Sequence, residues 1–144
     1  MDELHALVRA HGLRLIEGRG QHAAGYLPDR AIRVEPGLSW ANTRSLVHHE
    51  LGHHALGHRP QPAGIVHDRQ ERAANEWAAR RLITCADYRA AEALHGGHVP
   101  SLAHALTVHP KIVTAYRAML ERIGETVYVS PRMGIGQYDD RLAA

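Results

Sequence analysis

The chain contains no phenylalanine, and only 5% of its residues are aromatic, although 44% are hydrophobic. A core without large rings must be built mainly from Leu, Ile, Val and Ala side chains, which favours closely packed helices. A length of 144 residues is enough for one domain with a modest core. The composition therefore predicts one small, largely aliphatic globular domain.

Cysteine is nearly absent as well. Cys85 is the single one, which excludes an internal disulfide and indicates a reducing compartment. We interpret it as a small hydrophobic residue near a helix end and not as a nucleophile. No apolar run is long enough to span a membrane, and residues 1–12 predict an amphipathic helix without the apolar core of a signal peptide. We therefore expect a cytoplasmic protein with no membrane partner.

A strong excess of one charge is also missing. Lys and Arg number 17 against 15 Asp and Glu, which gives a formal net charge of +2. Because this surplus is small and scattered, we expect no direct nucleic-acid binding. Histidine, in contrast, is abundant, with 13 residues. Imidazole is the commonest metal ligand in proteins, so the histidines direct attention to metal chemistry.

The most informative stretch is residues 43–58, TRSLVHHELGHHALGH, which contains an HExxH motif from His49 to His53. On a helix, residues four apart lie on the same face, so His49 and His53 can bind a single ion. A zinc ion held in this way keeps one position open for water. The adjacent Glu50 can then take a proton from that water as it attacks a carbonyl.

The flanking residues predict that this stretch is helical. Ser39 or Asn42 can cap the start of the helix, and residues 57–60, Gly-His-Arg-Pro, end it. Gly52 costs about 1 kcal/mol relative to alanine in a helix interior. We expect its missing side chain to give another helix room to approach the metal.

Two alternatives compete with this assignment. His54 and His58 form a second pair with the same spacing, but Ala55 stands where the catalytic carboxylate would be. That pair could bind a metal without hydrolysing a substrate. The other alternative is a histidine-rich helix end with no bound ion, since accidental pairs are expected among so many histidines.

A second helix is predicted over residues 67–83, HDRQERAANEWAARRLI. Glu71 and Asn75 share one face of it with two alanines, Ala74 and Ala78, and such small residues allow close helix packing. Glu71 can supply the third protein ligand, with Glu76 and Asp68 as alternatives. Asn75, one turn later, can hydrogen-bond a ligand histidine.

Together, HELGH at 49–53, ExxAN at 71–75 and the following WAARRL resemble the ImmA/IrrE family of metallopeptidases over roughly residues 1–120. The chain departs from that family at Trp77, where Phe is usual, and at residues 83–85, Ile-Thr-Cys, where Met-Pro is common. The resemblance implies a gluzincin-like site with Zn²⁺ bound by His49, His53 and Glu71 and with Glu50 as general base. It also implies a protein substrate, namely a helix-turn-helix DNA-binding repressor of the kind carried on mobile elements.

Three short strands are predicted before the first motif, at residues 13–17, 24–27 and 31–35. We expect them to form a small antiparallel sheet, with Ile32–Val34 as the edge that pairs with an extended substrate. After the second motif, residues 95–124 predict helices joined near Val108–Pro110. Their spacing is similar to that of a helix-turn-helix, but packing is favoured over DNA reading because few basic residues are present.

The sequence thus predicts an α+β fold with a zincin-like core at residues 1–124 and a tail at 125–144 with one strand at Thr126–Ser130. Two ligand-bearing helices and C-terminal helices accompany the small sheet. The expected function is zinc-dependent endoproteolysis, with limited cuts in a repressor that regulates transcription. A non-catalytic regulatory module that binds a partner protein is the alternative, and a DNA-binding protein is a weaker third.

Overall fold

A computed structural model describes residues 1–127 of the chain. Within this range the fold is α+β, with six helices and one three-stranded sheet. The elements are α1 (Asp2–Ala10), β1 (Arg14–Glu17), β2 (Ala24–Leu27), β3 (Ala31–Val34), α2 (Trp40–Ala55), α3 (Ile65–Leu82), α4 (Cys85–His95), α5 (Val99–Leu106) and α6 (Pro110–Val127). Among these helices, none is both long and apolar enough to cross a membrane.

The sheet is mixed, with the order β1-β3-β2, so the prediction of a purely antiparallel sheet is wrong. β2 and β3 form an antiparallel hairpin around a short turn in which Arg30 has a positive φ of 61°. β1 instead pairs in parallel with β3, from Arg14 opposite Ala31 to Glu17 opposite Val34. The alternating pattern that identified the strands carries no information on their direction. The direction of β1 relative to β3 depends on the link between β1 and β2. This link is long enough to leave room for β3 between the two strands.

Arg33, in the central strand, holds that longer link in place. Its guanidinium donates to the carbonyl oxygens of Gly18 and His22, at 2.7 Å and 2.6 Å. A Cβ atom at Gly20 would overlap the guanidinium group of Arg33. The link between β1 and β2 therefore wraps closely around one cationic side chain.

The central position of β3 also overturns the predicted substrate edge. Ile32–Val34 is paired on both sides, with β1 and with β2, and Ile32 is fully buried. No backbone edge is left there for a peptide to extend. The edges of this sheet are β1 and β2.

The chain divides into two compact units, Met1–Ala78 and a second that begins at Ala79. In the first, α1 packs against β1, and α2 packs against β2 and β3. Their shared core is aliphatic, as the composition predicts, and consists of Leu4, Val8, Leu13, Leu15, Ala24, Ile32, Val34, Val47 and Leu51. The predicted division into residues 1–124 and a tail stays a prediction.

In the second unit, α5 packs against both α4 and α6. These three helices bury Tyr88, Leu102 and Tyr116. The two helices predicted around Val108–Pro110 are present, because α5 ends at Leu106 and α6 begins at Pro110. Tyr116 of α6 is buried and donates its hydroxyl to Cys85 Sγ at 3.4 Å, and burial raises the pKa of that hydroxyl. The strand predicted at Thr126–Ser130 is wrong at its start, since α6 continues to Val127. Its other residues lie outside the described range.

Candidate metal centre

The HExxH motif lies in the second half of α2. Of the two predicted caps, Ser39 is the one in place, since its Oγ accepts from the Asn42 backbone N–H at 3.2 Å. Val47 and Leu51 are fully buried and anchor one side of the helix in the core. His49 and His53 keep 14% and 19% of their side-chain surface exposed. The core contact thus fixes the helix while the two imidazoles remain accessible.

Gly52 brings α3 close to this helix. A Cβ atom at position 52 would lie 2.9 Å from the carbonyl oxygen of Ala74 and 3.1 Å from its Cα. Both neighbours are backbone atoms, which cannot move aside as a flexible side chain can. The predicted close approach of another helix at Gly52 is therefore confirmed: only a residue without a side chain permits this approach of α3.

The close approach places Glu71 of α3 beside the two histidines. His49 Nε2 and His53 Nε2 are 3.0 Å apart. The two oxygens of Glu71 lie 3.3 Å from His49 Nε2 and 3.1 Å from His53 Nε2. Ligand atoms around a tetrahedral zinc ion, each 2.0–2.1 Å from it, are separated from one another by about 3.3 Å. The three side chains can therefore hold one metal ion.

The alternatives raised by the sequence do not form such a group. Among the described residues, His49, His53 and Glu71 are the one set of three His, Cys, Asp or Glu whose ligand atoms converge. His54, Glu76 and Asp68 are outside it. Glu50 follows His49 on α2 and is half-buried. It does not belong to the converging group either. This position is expected of a residue that accepts a proton and does not bind the ion.

Asn75 fixes the tautomer of His49. Its Oδ1 lies 2.8 Å from His49 Nδ1, as the sequence predicts for an outer partner of a ligand histidine. An amide oxygen only accepts, so His49 Nδ1 carries the proton in this pair. The neutral His49 ring then has its lone pair on Nε2, the atom that faces His53 and Glu71.

His53 is held in its neutral form. Burial, followed by the proximity of His49, lowers the pKa of His53 from 6.5 to about 4. Contact with Glu71 acts in the opposite direction but is outweighed. At neutral pH the His53 ring therefore has a lone pair to offer, as binding to a metal requires.

Two histidines beside the site were not predicted to have their present roles. His67 Nε2 lies 3.9 Å from Glu71 Oε1, and its Nδ1 lies 3.4 Å from Asp68. The spacing of four residues before Glu71 could have indicated this position. His58 Nδ1 lies 2.9 Å from His53 Nδ1. No helical periodicity predicts that contact, because His58 follows the end of α2.

Comparisons with protein families, curated proteins and solved structures found no match for the chain. The resemblance to the ImmA/IrrE family therefore rests on the HExxH and ExxAN residues and the WAARRL stretch that follows them, and it stays a prediction.

Proposed function

We propose that this protein is a zinc-dependent endopeptidase. The observation that carries the proposal is the convergence of His49, His53 and Glu71, with ligand atoms 3.0–3.3 Å apart, one residue from Glu50. Two imidazole nitrogens and one carboxylate match the ligands of zinc peptidases. Retention of Glu50 supports catalysis, because a module that only binds a partner needs no general base.

The donor set fits a catalytic zinc ion better than a structural one. Structural zinc sites are usually closed by four protein ligands, whereas catalytic sites have three and keep one position open. A zinc ion bound here would polarise a substrate carbonyl and lower the pKa of a water molecule. The protein side chains would hold the ion and transfer the proton.

Each of those side chains has a distinct task. His49 and His53 present their Nε2 lone pairs, and the Glu71 carboxylate places one oxygen against each ring. Glu50 accepts the proton of the attacking water as the new C–O bond forms, and passes it to the amine nitrogen when the C–N bond breaks. Proton transfer through one carboxylate thus serves both halves of peptide hydrolysis.

We propose a cytoplasmic helix-turn-helix repressor as the substrate, on the basis of the family resemblance. Such a protein would be cut at one or a few positions in an exposed, extendable segment. Purified zinc-loaded protein should convert a candidate repressor into discrete fragments, identified by mass spectrometry.

Glu50→Gln is the matched control for this experiment. It preserves the size of the side chain but removes the base, so zinc content should stay near that of the wild type while cleavage falls by at least about 100-fold. Normal cleavage by this variant would refute the mechanism. Tight binding to an intact repressor with zinc present would instead support the non-catalytic regulatory module.

A further inference from the structure

The end of α2 is folded back onto the metal centre. The last helical residue is Ala55, and Gly57 adopts a positive φ of 67°. The Gly57 N–H donates to His54 O at 3.1 Å, and the His58 N–H donates to His53 O at 2.9 Å. This pair of hydrogen bonds defines a Schellman motif, which satisfies carbonyl groups at a helix C-terminus.

The same turn brings the side chain of His58 back to a ligand histidine. His58 and His53 have their Nδ1 atoms 2.9 Å apart, and their ring centroids are separated by 5.1 Å at an interplanar angle of 67°. His58 is half-buried. Two links therefore join these residues, one between their backbones and one between their rings.

Only one proton can lie between the two Nδ1 atoms. Nε2 of His53 faces His49 and Glu71, so a neutral His53 that binds a metal through Nε2 must carry its proton on Nδ1. The Nδ1 of His58 must then accept that proton in a hydrogen bond. His58 is not itself a ligand in this geometry, because its Nδ1 is directed at the opposite side of the His53 ring from Nε2.

We propose that His58 is a positioning residue of the metal centre: it accepts the hydrogen bond from His53 Nδ1 and thereby fixes the orientation and tautomer of that ring. This inference rests on the proposed zinc site. It gives His53 the kind of partner that Asn75 gives His49. Such outer partners raise the basicity of ligand histidines, and their loss typically lowers metal affinity 10- to 100-fold.

Two substitutions of equal shape separate hydrogen bonding from packing. An Asn side chain places an oxygen acceptor near the position of imidazole Nδ1. A Leu side chain has nearly the same shape as Asn but has no acceptor. His58→Leu should raise the zinc dissociation constant about 10- to 100-fold, as should Asn75→Ala. His58→Asn should stay within about threefold of the wild type, because the acceptor is retained. Both His58 variants keep the backbone N–H of the helix cap.

Zinc affinity would be measured by competition with a chelator, with His22→Leu as the control. His22 is an exposed histidine of the first unit and does not belong to the converging metal group. Its substitution therefore controls for the loss of a histidine that does not contact the metal. Proton NMR of the zinc-loaded protein supplies a second measurement. A downfield, slowly exchanging His53 Nδ1–H signal should be present in the wild type and in His58→Asn and lost in His58→Leu.

The outcomes distinguish this inference from the proposed function. If the wild type binds no zinc, the proposed function fails. If the wild type binds zinc and His58→Leu binds it equally well, or if His58→Asn is as weak as His58→Leu, only the positioning role is overturned. An unchanged His53 signal in His58→Leu would overturn it as well.

Discussion

At the scale of single residues, the site depends on two nitrogens and a carboxylate that come together across a sequence separation of about twenty residues. His49 and His53 could be predicted because a fixed helical spacing places them on one face. Glu71 and Asn75 could be predicted because small residues share their face of the second helix. His58 could not, because its position depends on the conformation of a helix-terminating turn and not on a repeat.

The ligand assignment leads to a direct prediction. His49→Ala, His53→Ala and Glu71→Ala should each abolish stoichiometric zinc binding, since each leaves only two protein ligands. Zinc per protein chain would be measured by elemental analysis after purification. His54→Ala and Glu76→Ala are the controls and should retain zinc. Loss of zinc from His54→Ala but not from His49→Ala would show that the second histidine pair is the real site.

At the scale of secondary-structure elements, the sequence predicts position better than pairing. β2 has the predicted bounds, and α2 begins at one of the two predicted caps. The parallel pairing of β1 with β3 was missed because strand direction depends on connections and not on alternation. α4 was not predicted, although Thr84 caps its start by accepting from the Asp87 N–H.

The contact between α2 and α3 can be tested at Gly52. Gly52→Ala should favour an isolated helix by about 1 kcal/mol. In the folded protein, however, the added methyl group meets the backbone of Ala74, and overpacking of this kind costs about 1–3 kcal/mol. Because α3 carries Glu71, any relief of the clash also moves a ligand. We expect zinc affinity to fall at least about tenfold.

Gly18→Ala is the matched control for that substitution. A Cβ atom at Gly18 would lie 3.7 Å from the nearest side-chain carbons of Arg33, an ordinary contact. Zinc affinity should therefore be unchanged. Equal affinities of Gly52→Ala and the wild type would show that α2 and α3 can separate without disturbing the ligands.

At the scale of the whole molecule, the metal-free protein should lose stability in mild acid. The pKa of His53 is about 4 in the folded state against 6.5 for an unperturbed histidine. Between these values the unfolded chain binds the proton and the folded chain does not, so stability decreases as pH falls from 6.5 towards 4. This group accounts for on the order of 3 kcal/mol. Burial and Lys111 lower the pKa of His109, which adds an effect of the same sign.

Urea unfolding of chelator-treated protein at several pH values would measure this dependence. His53→Gln should flatten the curve between pH 6.5 and 4, because the group that resists protonation is gone. Above pH 6.5, His53 does not contribute to the pH dependence of the free energy of unfolding. If the variant and the wild type lose stability in parallel, the acid sensitivity arises elsewhere.

The proposed peptidase activity would also act on exposed segments of the protein's own chain, and the link between β1 and β2 is a segment that the fold protects. Exposed segments that can be drawn into an extended conformation are what such an enzyme cuts, and Arg33 keeps residues 18–22 wrapped around its guanidinium. Arg33→Ala should release this loop and make it a target for autolysis between neighbouring molecules. Fragments ending near residue 20 should then appear during storage with zinc, and the same substitution combined with Glu50→Gln should remain intact.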